Sequence, residues 1–196
     1  MRTMQSRRTY RIAFFALLAL GAVVRLFGAW CYRGNFHPDA GIVALMAKHM
    51  AEGRGFPVFY YGQPYMGSLE PMVAAVFCRL FGCSGLVVCM GTALFAFLLL
   101  PVVYAWAKDG DGKTAGIAAM AYCLVGTGGY FHYMSSTRGG GYAAMLLLGT
   151  SVIWLSGRIV AWEHRGERRH DPERGRVRLR VQDGRRPKEE PGAPGG

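Results

Sequence analysis

Apolar residues gather in four long runs, at 12–32, 84–107, 114–133 and 142–162. The only charged residues inside them are Arg25 in the first and Arg158 near the end of the fourth. A helix of roughly 20 apolar residues covers the hydrocarbon core of a bilayer, about 30 Å thick. Backbone polar groups exposed to lipid must be satisfied within their own segment, so each run is predicted to be an α-helix. The expected fold is an all-α polytopic membrane protein with four transmembrane helices.

The stretches between the runs differ in kind. Residues 33–83 form a loop far longer than ordinary connections. Within it, 39–52 reads as an amphipathic helix, with Ile42, Val43, Leu45, Met46 and Met50 on one face and Lys48, His49 and Glu52 elsewhere. Gly53 is its expected stop. An aromatic stretch follows (Phe56, Phe59, Tyr60, Tyr61, Tyr65), then an apolar run at 72–81. That run is too short to cross a bilayer, so it is expected to lie in the interface or re-enter. The loop thus carries one or two interfacial helices. Residues 108–113 are predicted to be a tight turn. The stretch from Ala107 to Thr114 has neither the first glycine nor the preceding strand of a phosphate-binding loop, and it lacks the closing glutamate of a calcium loop.

Charge sets the orientation. The first 11 residues hold four arginines and no acid, and residues 163–196 hold ten basic residues. Basic flanks favour the cytoplasm, so both termini are expected there, with 33–83 facing outward. The expected organisation is a basic N-terminus (1–11), a membrane domain (12–162) and a charged, disordered tail (163–196). The first run is read as a retained span, because it holds Arg25 and no small-residue cleavage site follows. Topology accounts for the formal net charge of +11. No folded nucleic-acid module accompanies it, so nucleic acid is excluded as a partner. The five cysteines (31, 78, 83, 89, 123) have no metal-ligand spacing and read as small buried residues. A Cys78–Cys83 disulfide stands as the alternative for that pair.

Candidate chemistry lies where the first run ends. Asp39 is either the N-cap of the following helix or a general base at the membrane surface. Glu70, just before Pro71, either favours a helix N-terminus or binds substrate. Tyr61 and Tyr65 belong to an interfacial aromatic belt or stack on a sugar. His37 reads as a loop histidine. Arg25, an ionisable residue within a span, is a candidate partner for a phosphate or for Asp39.

His37-Pro38-Asp39, the stretch Tyr61-Gly62-Gln63-Pro64-Tyr65-Met66-Gly67-Ser68-Leu69-Glu70, and Arg138-Gly139-Gly140-Gly141-Tyr142 resemble the N-terminal region of bacterial GT-C membrane glycosyltransferases. The similarity is to protein O-mannosyltransferases and the aminoarabinose transferase of lipid A, and it covers about residues 10–160. It implies an inner-membrane enzyme that transfers a sugar, with inversion, from a polyprenyl-phosphate carrier to an acceptor on the outer face. It makes Asp39 the catalytic base and Gln63 to Glu70 a matching loop stretch; for such a reaction Glu70, Arg25, Arg138, Tyr61, Gln63 and Tyr65 are the candidate substrate-binding residues. Where many such enzymes have an acidic pair, this chain has Asp39-Ala40, and no metal or other cofactor is expected. The family has more spans, so the chain is read as a truncated enzyme, inactive alone or dependent on a further membrane subunit. The alternative is a non-catalytic four-span protein, either a partner subunit or a remnant of a transferase.

Overall fold

The computed structural model describes residues 2–34, 37–125 and 139–170. It divides the chain into two units, 1–152 and 153–196. Three helices are long and apolar enough to cross a membrane: Arg7–Tyr32 within α1 (Arg2–Tyr32), Gly85–Val125, and Tyr142–Glu163 within the last helix, Tyr142–His170. In the first and last of these, 17% and 11% of the most apolar window is buried, against 56% in the middle one. Phe15, Val23, Phe27 and Trp30 of α1 are each at least half exposed. Exposed apolar faces of that extent mark membrane or protein contacts, and on helices of this length they are the pattern of membrane spans.

The middle helix is broken. Asp111 and Gly112 have non-helical backbone, Gly112 at φ 85°. We call 85–110 α4 and 113–125 α5. The chain folds back at this break, because a Cβ on Gly116 would lie 2.8 Å from the Tyr104 carbonyl oxygen. Leu100 packs with Met120 and Leu124 in one buried cluster. Only glycine at 116 lets the two backbones come so close. The turn expected at 108–113 is therefore a helical hairpin. α1 lies alongside it: Phe14 packs against Tyr104 with ring centroids 4.7 Å apart, and Tyr10 Oη is 2.7 Å from Thr114 Oγ1. This brings the Arg7–Arg11 end of α1 beside Lys113.

The loop after α1 is structured. α2 (Pro38–Ala51) begins with proline at its first turn, whose fixed φ suits that position. It ends as expected at Gly53 (φ 77°): the Gly53 amide donates to Met50 and the Arg54 amide to His49, a Schellman closure. Its buried face is Ala40, Val43, Met46, Ala47 and Met50, whereas Leu45, expected on that face, is exposed. The aromatic stretch, which carried no predicted strand, contains an antiparallel hairpin of β1 (Phe59–Tyr60) and β2 (Gln63–Gly67). Gly62 supplies the positive φ of its turn. α3 (Leu69–Phe81) is the short apolar helix, starting three residues earlier than its apolar run. It packs so tightly on α4 that a Cβ on Gly91 would meet Ala74 at 2.9 Å. A Cys78–Cys83 disulfide closes its C-terminal end, so for these two cysteines the alternative reading holds.

The last helix, α6 (Tyr142–His170), opens in the first unit with Ala143 and Ala144 packed on Phe95 and Ala96 of α4. In the second unit it continues eight residues beyond the boundary at 162 read from composition, so 163–170 is helical. Residues 171–196 of the expected tail lie outside the described residues, as does the glycine-rich part of the third apolar run, 126–129.

Candidate functional site

The centre of the site is Glu70. Its position next to Pro71 at the start of α3 makes it look like a charge serving its own helix. Instead the side chain turns away, is 1% exposed, and caps α6. One carboxylate oxygen accepts from the Gly141 amide at 3.0 Å and the other from the Ala144 amide at 3.1 Å. The first amides of a helix have no partner within it, so a buried helix start needs such acceptors. Burial pushes the Glu70 carboxyl above its ordinary range, while the Ala144, Gly141 and Ala143 amides oppose the shift. Glu70 is therefore part of the framework, and its oxygens are committed to backbone.

The Gly141 it holds closes a run of three glycines, Gly139, Gly140 and Gly141, all at positive φ. A Cβ on Gly139 would sit 3.0 Å from Val43 Cγ2 and 3.3 Å from Ala40 Cα, and one on Gly140 would lie 3.7 Å from Asp39 Cβ. Glycine is needed here both for conformation and for room. The triple-glycine segment thus lies against the first turn of α2, beside Asp39.

Asp39 does not cap its own helix. The N-cap is His37, whose Nδ1 accepts from the Asp39 amide at 3.4 Å. The same nitrogen is 3.4 Å from Asp39 Oδ2. The two contacts ask for opposite states of Nδ1: an open lone pair for capping, a proton for pairing with the carboxylate. His37 is thus a direct neighbour of Asp39 rather than a plain loop residue. The Asp39 side chain is 25% exposed, so its carboxylate sits at a rim and not in the core.

Tyr60 was missed by sequence reasoning. It is 3% exposed, and its hydroxyl has no hydrogen-bond partner. Burial, then the charges of Glu70 and Asp39, push its ionisation well above the ordinary tyrosine range; the Gly140 amide, which faces the oxygen without normal hydrogen-bond geometry, acts the other way. The hydroxyl therefore stays protonated and is a donor. Gln63, opposite Tyr60 in the hairpin, has a buried Oε1 that also lacks a partner.

The other predicted residues are more scattered. Tyr61 contacts His49 Nδ1 through its hydroxyl at 3.1 Å, and Tyr65 is 78% exposed. Arg25 is buried and donates a long hydrogen bond (3.5 Å) to the Cys123 carbonyl of α5; its described hydrogen bond thus joins α1 to α5 and does not go to Asp39. Arg138 lies outside the described residues. Among the described residues, no three His, Cys, Asp or Glu side chains gather as metal ligands would. Comparison with family models, with curated proteins and with solved structures finds no match to this chain.

Proposed function

We propose that this chain is a membrane glycosyltransferase that uses a polyprenyl-phosphate-linked sugar, with Asp39 as its general base. The observation that carries the reading is the setting of Asp39. The carboxylate stands partly exposed at a rim, beside an imidazole, and its helix is capped by another residue. Asp39 would take the proton from an acceptor hydroxyl as that oxygen attacks the anomeric carbon. The carbon–oxygen bond to the carrier phosphate breaks on the opposite face, which inverts the centre. The acceptor gains the sugar, the carrier leaves as its phosphate, and the proton rests on Asp39. The motif resemblance around Asp39 and Gln63 supplies the substrate class. The test uses purified protein in lipid with undecaprenyl-phosphate-linked mannose, glucose, galactose and arabinose, following release of the bare carrier. Release with any of them is the expected result. Retention of every sugar on its carrier, in the presence of membrane extract as acceptor and partner source, would sink the reading.

A non-catalytic membrane protein is the second reading. It is favoured by Glu70 and Arg25, two candidate residues that direct polar atoms into the fold. The same assay separates the two.

The proposed topology has four spans, α1, α4, α5 and α6, with both termini in the cytoplasm. Support comes from the basic start of α1 lying at the same end as the α4–α5 turn with Lys108 and Lys113. The site would then face outward. A single cysteine tests this. Ser68 is a poor place for it, at 3% exposure, whereas Tyr65 is open. With the exposed Cys31 changed to serine, Tyr65→Cys is expected to react with an impermeant maleimide in intact cells. Reaction only after lysis would reverse the topology.

A further inference from the structure

The hairpin holds two buried polar atoms without partners, Tyr60 Oη and Gln63 Oε1. Among the described residues the only other such atom is on Arg25, far along α1, where further interactions exist. Unpaired buried polar atoms are uncommon and costly. Two in one hairpin, next to the rim carboxylate, call for a ligand.

Their geometry limits what that ligand is. Tyr60 and Gln63 are direct partners across the hairpin, and residues directly opposite in an antiparallel pair project on the same face. That face is the one within electrostatic reach of Glu70, Asp39 and Gly140. One atom is a donor, because the phenol keeps its proton. The other is an amide oxygen, which only accepts. The group that satisfies a donor and an acceptor together is a hydroxyl: its oxygen accepts from Tyr60 and its hydrogen goes to Gln63. A phosphate or carboxylate would leave Gln63 Oε1 facing another acceptor, and an ammonium, which only donates, would leave the Tyr60 proton without an acceptor.

We infer that Tyr60 and Gln63 form a hydroxyl-binding subsite that seats a sugar beside Asp39. The inference rests on the transferase reading above; it adds Tyr60 and gives Gln63 a defined role. Tyr60 donates to one hydroxyl oxygen of the sugar, and Gln63 accepts from the same hydroxyl. The hydroxyl belongs either to the carrier-linked sugar or to a sugar acceptor.

Tyr60→Phe and Gln63→Leu test it, because each removes one polar group and keeps the bulk. Purified variants in lipid nanodiscs are titrated with undecaprenyl-phosphate mannose, glucose and galactose, with bare undecaprenyl phosphate, and with the methyl glycosides of the same sugars. Thermal unfolding without ligand is measured alongside. Deleting an unpartnered buried hydroxyl removes a cost, so Tyr60→Phe is expected to keep or raise the midpoint of the empty protein. Its affinity for the recognised sugar is expected to fall about 5- to 10-fold, the loss of one neutral hydrogen bond, with bare carrier bound as before. A loss confined to carrier-linked sugar assigns the hydroxyl to the donor, and a loss confined to a methyl glycoside assigns it to the acceptor; either supports the subsite. If wild type binds sugars and both variants bind them equally well, the subsite is wrong while the transferase reading stands. A lower midpoint for the empty Tyr60→Phe variant with unchanged sugar affinity also overturns it, because the hydroxyl then serves the fold. Uniform weakening toward bare carrier and sugar alike counts against it for the same reason. If wild type binds none of the probes, the transferase reading fails and the subsite falls with it.

Discussion

Glu70→Ala is expected to cost the folded protein about 2–4 kcal/mol, since the half-buried Gly141 amide before α6 and the buried Ala144 amide within it lose their acceptors at roughly 1–3 kcal/mol each, partly offset by relief from burying a carboxyl. The Gly141 and Ala144 amides have no carbonyl one turn back to turn to, because α6 starts at Tyr142. The consequence goes beyond α6. The carboxylate ties α3 to the segment that lies on the first turn of α2, so its loss frees Gly139 and Gly140 from Val43 and Asp39. Glu70→Gln keeps the shape and one acceptor, but turns an NH₂ toward an amide donor, and should lose about half as much. Unfolding in detergent by heat and by denaturing surfactant reads both. A Glu70→Ala protein within about 0.5 kcal/mol of wild type would show that the cap is not holding the site. The pH dependence has a definite sign. Burial raises the native Glu70 value, so the native state holds the proton more tightly than the unfolded chain. The stability this contributes is full below the unfolded value and is lost as pH rises through the native one. Glu70→Ala should flatten that decline.

Glu70 also marks the limit of what local sequence reveals. The long apolar runs are legible because lipid leaves the chain one local solution, and Gly53 and the 108–113 turn are legible because positive φ has few residue choices. The hairpin is readable in principle: Tyr60-Tyr61-Gly62-Gln63 places glycine at a turn position between good strand formers. Composition alone instead puts the aromatic residues in an interfacial belt, and Tyr60 escapes notice because a buried tyrosine and a surface tyrosine look the same in sequence. Residue preference favours Asp39 as the cap of α2, whereas Pro38 at the first helical position points to the residue before it, His37. For Glu70 there is no local signal. Its partners are 71 and 74 positions away, and sequence correctly links the acid to a helix N-terminus but to the wrong helix. The pairing of Asp39 with the triple-glycine segment is equally long-range, and only the fold brings the two motifs together.

Asp39→Asn is expected to abolish most transfer while leaving the fold in place. The change removes one negative charge and keeps the size and the β-carbon environment near Gly140. It does not remove a cap, because His37 performs that role. The structural loss is limited to a carboxylate in the first turn of α2, worth about 0.3–1 kcal/mol at a helix N-terminus. The chemical loss is larger. An amide cannot take the acceptor's proton, and removing a general base lowers turnover by about 10²–10⁴-fold. The reduction should appear in kcat, with carrier–sugar affinity close to wild type, because the base acts on the acceptor as the bond forms and not on the bound donor. His37→Ala is the informative companion. It removes the helix cap together with the imidazole beside the carboxylate, so it should lower both stability and rate, whereas Asp39→Asn lowers the rate with only a small loss of stability. Carrier release by reconstituted protein, measured with matched thermal unfolding, decides between base and bystander. An Asp39→Asn protein that turns over at the wild-type rate would leave Asp39 a first-turn charge and nothing more.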